Sequence, residues 1–234
     1  VLVFSYGIPK SGSTLAFELA KAVARLGGHR QRLLPEALLP GGHKVNFAQD
    51  LVPETLPRLA EAAAGHILLV KTHASPGPAW VAAYRGLAAQ GLVSAHLNQR
   101  DPRDICLSLL DAGRLARSRG EAAFSEFVTL DDAAARVRRY LEEAAIWQGL
   151  PRTLALHYET CAFRMEEAVE AIKSDLGIAC LNWPVRLWVR RFAFTYRNKA
   201  VPARHEAELS AADRARLDAA FGPYLHLMGT AIAR

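Results

Sequence analysis

Long apolar runs are missing from this chain. No stretch approaches the roughly 20 consecutive apolar residues that a membrane-spanning helix needs. Glu18 and Lys21 interrupt the N-terminal candidate, and no basic n-region or small-residue cleavage site precedes it. The expectation is a protein with no membrane partner. Cysteine is scarce too: Cys106, Cys161 and Cys180 are odd in number, far apart and in no CxxC pair. That argues against a disulfide framework and a zinc site, and fits a reducing, cytoplasmic setting. No clear metal cluster, internal repeat, low-complexity tract or linker is visible. What remains, 234 residues of which 51% are hydrophobic and 22% charged, suffices for one sizeable core, so 1–234 is read as a single domain.

A further absence is local. Between Asn182 and His205 stand six cations, Arg186, Arg190, Arg191, Arg197, Lys199 and Arg204, and no acid. The chain has 29 Lys and Arg against 23 Asp and Glu, net +6, so this segment holds the whole excess. Charge of this kind fits a solvated helix face with a basic loop, or a polyanion partner. Trp183, Trp188, Phe192, Phe194 and Tyr196 alternate with the arginines. Such interleaving serves either a nucleic-acid surface or an apolar helix face packed on a sheet.

Short apolar runs punctuate the rest. Val1–Tyr6, His66–Lys71, Leu92–Leu97 and Thr153–Tyr158 read as strands. Leu15, Leu19, Val23 and Leu26 mark a helix after the first of them, and 51–64, 78–90, 101–119 and 160–176 read as further helices. Beyond Ile178 the pattern is helical, ending in a capped helix over Ser210–Phe221, while 27–50 reads as a long loop beside a substrate site. Continuous apolar strands alternating with helices predict an α/β fold, a central parallel sheet flanked by helices in three layers. The first strand starts at residue 1 without an initiator Met, so a few native residues are expected to precede it.

Two segments at strand ends carry anion chemistry. Gly7-Ile8-Pro9-Lys10-Ser11-Gly12-Ser13-Thr14 joins the first strand to the first helix, where loop N–H groups and the helix end can hold a phosphate or sulfate. A Walker A loop would have lysine at 13; here Ser13 stands there and the lysine is Lys10. Arg100-Asp101-Pro102-Arg103-Asp104 follows the third strand. Asp101 suits the N-cap, Pro102 the first helical position and Asp104 the first turn, so both aspartates read as structural. Arg103 is expected in solvent. Arg100 and Ser108 have no such helix-start role, and an arginine and a hydroxyl converging there would hold a phosphate.

On those residues the chain resembles the sulfotransferase family. PKSGST at 9–14 is similar to that family's 5′-phosphosulfate loop, and RDPRDICLS at 100–108 to its 3′-phosphate motif. Lys71-Thr72-His73 resembles its KTH catalytic segment, and Tyr158-Glu159-Thr160 the segment whose tyrosine approaches adenine. The four matches occur in the family's order. The resemblance implies a P-loop NTPase-like sulfotransferase architecture and transfer of a sulfuryl group from 3′-phosphoadenosine 5′-phosphosulfate (PAPS) to a hydroxyl or amine, leaving 3′,5′-ADP (PAP). The acceptor is expected to be a small molecule, glycan or lipid, with no nucleic acid and no metal involved. His73 becomes the general base, Lys10 the group that stabilises the leaving phosphate, and Lys71 its assistant. Lys10, Ser11, Gly12, Ser13 and Thr14 would hold the 5′-phosphate, Arg100 and Ser108 the 3′-phosphate, and Tyr158 the adenine.

There are departures. The tryptophan that ends the first motif in cytosolic members is Leu15 here, and the C-terminal RKGxxGxxK segment is absent. Arg197-Asn198-Lys199 is its expected substitute, with Arg197 and Lys199 as nucleotide contacts. The family's dimerisation signature is not recognisable, which leaves the oligomeric state open. A P-loop kinase is the nearest alternative, but it calls for lysine at 13 and a Mg²⁺-holding acid at a strand end.

Overall fold

The computed structural model describes residues 1–39, 45–192 and 201–225. Its centre is a five-stranded sheet, every neighbouring pair parallel, built from β1 (Leu2–Gly7), β2 (Phe47–Ala48), β3 (Leu68–Thr72), β4 (Val93–Gln99) and β5 (Thr153–His157) in the order β2-β3-β1-β4-β5. All six residues of β1 and all seven of β4 are buried, as expected of strands covered on both faces. The chain leaves β1 toward β3 on one side and later crosses to β4 on the other. The C-terminal end of β1 is thus the switch point where open α/β sheets bind ligands.

One face carries α1 (Ser13–Leu26), α6 (Tyr158–Phe163), α7 (Met165–Leu176) and α8 (Asn182–Phe192), with Val3, Phe17, Leu19, Val23, Leu69 and Val169 in its core. The other carries α2 (Leu56–Ala62), α3 (Pro78–Ala89), α4 (Pro102–Arg119), α5 (Leu130–Gln148) and α10 (Ala211–Leu225). The short α9 (Arg204–Glu208) packs on α4. On this second face Phe4 meets Trp80 edge-on at 5.2 Å and Tyr6 stacks on Trp147 at 5.2 Å. Such pairs contribute about 0.5–1.5 kcal/mol each beyond area burial. Trp147 Nε1 also donates to the Ala74 carbonyl at 3.1 Å, which fixes the segment that follows β3.

The architecture agrees with the sequence expectation, and the differences are local. The expected loop 27–50 contains β2, a two-residue edge strand too short to show periodicity. The expected helix 160–176 is two helices, broken at Arg164, whose φ of −125° and ψ of 47° are not helical. α5 was not among the predicted helices. Its signals are the Thr129/Asp132 capping box and an apolar stripe of Ala133, Val137, Leu141, Ala144 and Trp147.

Candidate active site

The strand ends of β3, β1, β4 and β5 lie side by side, so the four segments they release form one edge. After β1 the chain turns through Ile8–Gly12 into α1, with the Ser11 N–H donating to the Ile8 carbonyl at 3.0 Å. Lys10 and Gly12 are both left-handed, at φ 72° and 83°. For a non-glycine residue that conformation costs about 1–2 kcal/mol, and it persists where surrounding contacts impose it. Here they do. Ser11 Oγ donates to Asn98 Oδ1 at 2.7 Å, Asn98 Nδ2 to the Leu156 carbonyl at 3.3 Å, and Arg100 Nη1 to the Lys10 carbonyl at 3.2 Å. Gly12 has a second constraint: a Cβ there would lie 2.5 Å from Cδ2 of Tyr158. A turn with alternating left-handed residues at a helix N-terminus is a ready concavity for an anion.

The Lys10 ammonium sits 5.3 Å from the centre of the Phe124 ring. Burial lowers its pKa; Asp111 opposes that shift and Arg100 adds to it. A half-buried charge acts more strongly on a neighbouring anion than a fully solvated one. Lys71 points toward α1, where its Nζ donates to Thr14 Oγ1 at 2.8 Å. Its pKa is likewise lowered by burial, with Glu18 opposing and Lys21 reinforcing.

His73 follows β3, and its Nδ1 lies 2.6 Å from the Gly7 carbonyl. A carbonyl can only accept, so Nδ1 carries the proton and Nε2 keeps its lone pair. Burial lowers the His73 pKa, the Gly7 bond partly offsets this, and Lys71 lowers it further. The imidazole is therefore neutral at pH 7, with Phe47 of β2 packed at 5.7 Å.

Arg100 is 5% exposed. Its guanidinium lies 4.2 Å over the Tyr158 ring, Nη2 is 3.7 Å from Asp104 Oδ2, and the buried Nε has no partner in the structure. Ser108 is buried one turn beyond Asp104 on α4. Asp101 caps α4 as expected, accepting from the Arg103 N–H at 2.9 Å. Arg103 departs from expectation. Its guanidinium is clamped between Asp101 and Asp218 of α10, at 2.6 Å from each, because the two carboxylates flank it as the helices pack.

The structure thus brings Lys10, Ser11, Gly12, Ser13, Thr14, Lys71, His73, Arg100 and Tyr158 to one edge. Arg197 and Lys199 lie outside the described residues. Sequence reasoning passed over Asn98, although a polar residue in an apolar parallel strand was a usable signal. It also passed over Phe124, for which no local signal exists. Among the described residues, no group of three or more His, Cys, Asp or Glu could hold a metal ion, and no helix is long and apolar enough to cross a membrane.

The chain matches no protein-family model and no curated protein. Solved structures are similar to it in fold. Mouse sulfotransferase SULT7A1 complexed with PAP superposes with a TM-score of 0.59 at 14% identity, over 96% of this chain and 84% of the other. A retinol dehydratase in complex with androsterone and the inactive cofactor PAP gives 0.57 at 14% identity, over 96% and 80%. The chain has the sulfotransferase fold.

Proposed function

We propose that this chain, acting as a single domain over 1–234, is a sulfotransferase that moves the sulfuryl group of PAPS to a hydroxyl or amine of a small-molecule, glycan or lipid acceptor. The observation that carries this reading is the trio on adjacent strand ends: a neutral histidine with Nε2 free, a desolvated loop lysine, and a buried arginine with an unpartnered Nε. A buried donor with no partner calls for an acceptor, and a phosphate oxygen at Arg100 answers that need. The likeness to PAP-bound structures supports the same nucleotide, with PAPS as the donor co-substrate.

In the step we propose, the acceptor oxygen or nitrogen attacks sulfur while His73 Nε2 takes its proton. The bond from sulfur to the bridging phosphate oxygen breaks, and the electron pair stays on the 5′-phosphate of PAP. Lys10 and the loop N–H groups stabilise that developing charge. Lys71, held by Thr14, assists on the sulfuryl side, Ser11–Thr14 hold the 5′-phosphate, Arg100 and Ser108 the 3′-phosphate, and Tyr158 the adenine. Arg197 and Lys199 are proposed to add nucleotide contacts. His73 as a general base is worth about 10²–10⁴-fold. The free cysteines suit the cytoplasmic setting proposed for it. Calorimetry with 3′,5′-ADP, followed by an acceptor screen with labelled PAPS, tests the reading; ATP–Mg²⁺ binding far tighter than 3′,5′-ADP would replace it with phosphoryl transfer.

A further inference from the structure

Behind Arg100 lies a buried charge network that the reaction scheme leaves unused. Asp104 is completely buried. Its Oδ1 accepts from the backbone N–H of His205 at 2.9 Å and pairs with His205 Nδ1 at 2.8 Å; its Oδ2 accepts from the Arg204 N–H at 3.3 Å. Arg204, 2% exposed, bonds Asp111 at 2.7 Å and Glu208 at 2.8 Å. The first two residues of α9 are therefore fixed to α4 across about a hundred residues of chain.

A buried carboxylate next to an arginine competes with any anion that arginine could bind. Charge-assisted hydrogen bonds run at about 2.7–2.9 Å, yet Arg100 Nη2 stays 3.7 Å from Asp104, whose oxygens are occupied by α9. We infer that His205 is a positioning residue for nucleotide selection: it engages Asp104 so that Arg100 remains available to the 3′-phosphate. This rests on the reading of Arg100 given above.

The groups around His205 set a pH dependence. Asp101, Asp104 and Arg103 face it from α4, Arg100 stands at the end of β4, and Arg204 and Glu208 share its own helix; Asp218 of α10 reaches the cluster through Arg103. Burial pulls its pKa down, but the Asp104 hydrogen bond and the charges of Asp101 and Asp104 outweigh burial and Arg103, leaving it above the ordinary histidine value. As pH rises through that point the imidazolium loses its charge; the neutral ring keeps its Nδ1–H bond to Asp104, but the positive charge that offset this carboxylate is gone and Asp104 draws more strongly on Arg100. Selectivity for a 3′-phosphate then falls.

The test is calorimetry of 3′,5′-ADP and 5′-AMP with wild type, His205→Ala, His205→Asn and Arg100→Ala, at neutral and mildly alkaline pH. His205→Ala is expected to lose about tenfold in preference for 3′,5′-ADP while binding 5′-AMP as before, a loss the size of one charged hydrogen bond. His205→Asn, which keeps one neutral N–H for Asp104, is expected to show at both pH values the preference that wild type shows at alkaline pH, above that of His205→Ala, and so to lack the pH dependence of wild type. An unchanged preference in His205→Ala, or equal losses for both nucleotides, overturns the inference, and if that variant does not fold, a His205→Asn that titrates like wild type does the same. Arg100→Ala is expected to lose the preference outright. If it does not, the reading of Arg100 fails and this inference with it; if it does and the His205 variants do not, this inference falls alone.

Discussion

A histidine serves as a base only in the tautomer that leaves a lone pair facing the acceptor, and only if it is neutral when the acceptor arrives. The Gly7 carbonyl meets the first condition for His73 by claiming the Nδ1 proton, and burial meets the second. Because the shift is downward from about 6.5, His73 keeps its lone pair into mildly acidic solution, and the acid limb of kcat/KM against pH is expected below that value. His73→Ala should lower turnover by about 10²–10⁴-fold and change the calorimetric affinity for 3′,5′-ADP far less, since the bond it removes goes to the Gly7 carbonyl and not to a group assigned to the nucleotide; near-normal turnover would remove its role. Gly12 makes the opposite case. Alanine there faces both a φ of 83° and a contact 2.5 Å from the Tyr158 ring. Gly12→Ala is therefore expected to displace Tyr158 from beneath Arg100, weakening 3′,5′-ADP at least tenfold and lowering the melting temperature together, and a variant with wild-type affinity would contradict that account.

At the scale of elements, the strands that carry the site were legible because each is a short apolar run ending in a polar motif: β1 before Lys10, β3 before His73, β4 before Arg100 and β5 before Tyr158. The partners that hold those motifs in place were not legible, because they come from far along the chain. Asn98 meets Ser11 from 87 residues away, Trp147 meets Ala74 from 73, and His205 meets Asp104 from 101. No local spacing encodes such pairs. α5 is instructive, since its apolar stripe leans on alanines that carry little weight in a periodicity argument, while its start is marked by a reciprocal cap: Thr129 Oγ1 accepts from the Asp132 N–H at 3.2 Å and Asp132 Oδ2 accepts from the Thr129 N–H at 2.8 Å. Thr129→Ala removes one half of that cap. It is expected to lower the melting temperature by about 2–5 °C without altering 3′,5′-ADP affinity, because the cap lies at the end of α5 remote from Trp147; a change in affinity would mean that the whole helix, and not its C-terminal half, positions the site.

For the molecule as a whole, the question is what a net charge of +6 concentrated in 182–205 is for. A nucleic-acid surface needs its cations free to meet phosphates, with aromatic faces open between them. Among the four of these cations that lie in the described residues, two are engaged with acids: Arg186 pairs with Glu166 of α7, and Arg204 with Asp111 and Glu208. Trp188 packs against the same core as Val185 and Val189 and is covered by Arg25 of α1 at 4.5 Å and by Phe192 at 4.9 Å, while Trp183 and Phe192 are themselves exposed. Arg190 and Arg191 are exposed on α8, and Arg197 and Lys199 lie outside the described residues. The excess is thus partly spent in docking α8 and α9 onto the sheet layers, and α9 in turn bears on Arg100 through Asp104. Charge used this way does not follow an extended backbone. A gel-shift titration with single-stranded and duplex oligonucleotides at low salt is expected to show no complex, and 3′,5′-ADP is expected to raise the melting temperature as any ligand of the folded state does. A shifted band that weakens steeply with added salt, with no thermal shift from 3′,5′-ADP, would reassign the segment to a polyanion and take the nucleotide reading with it.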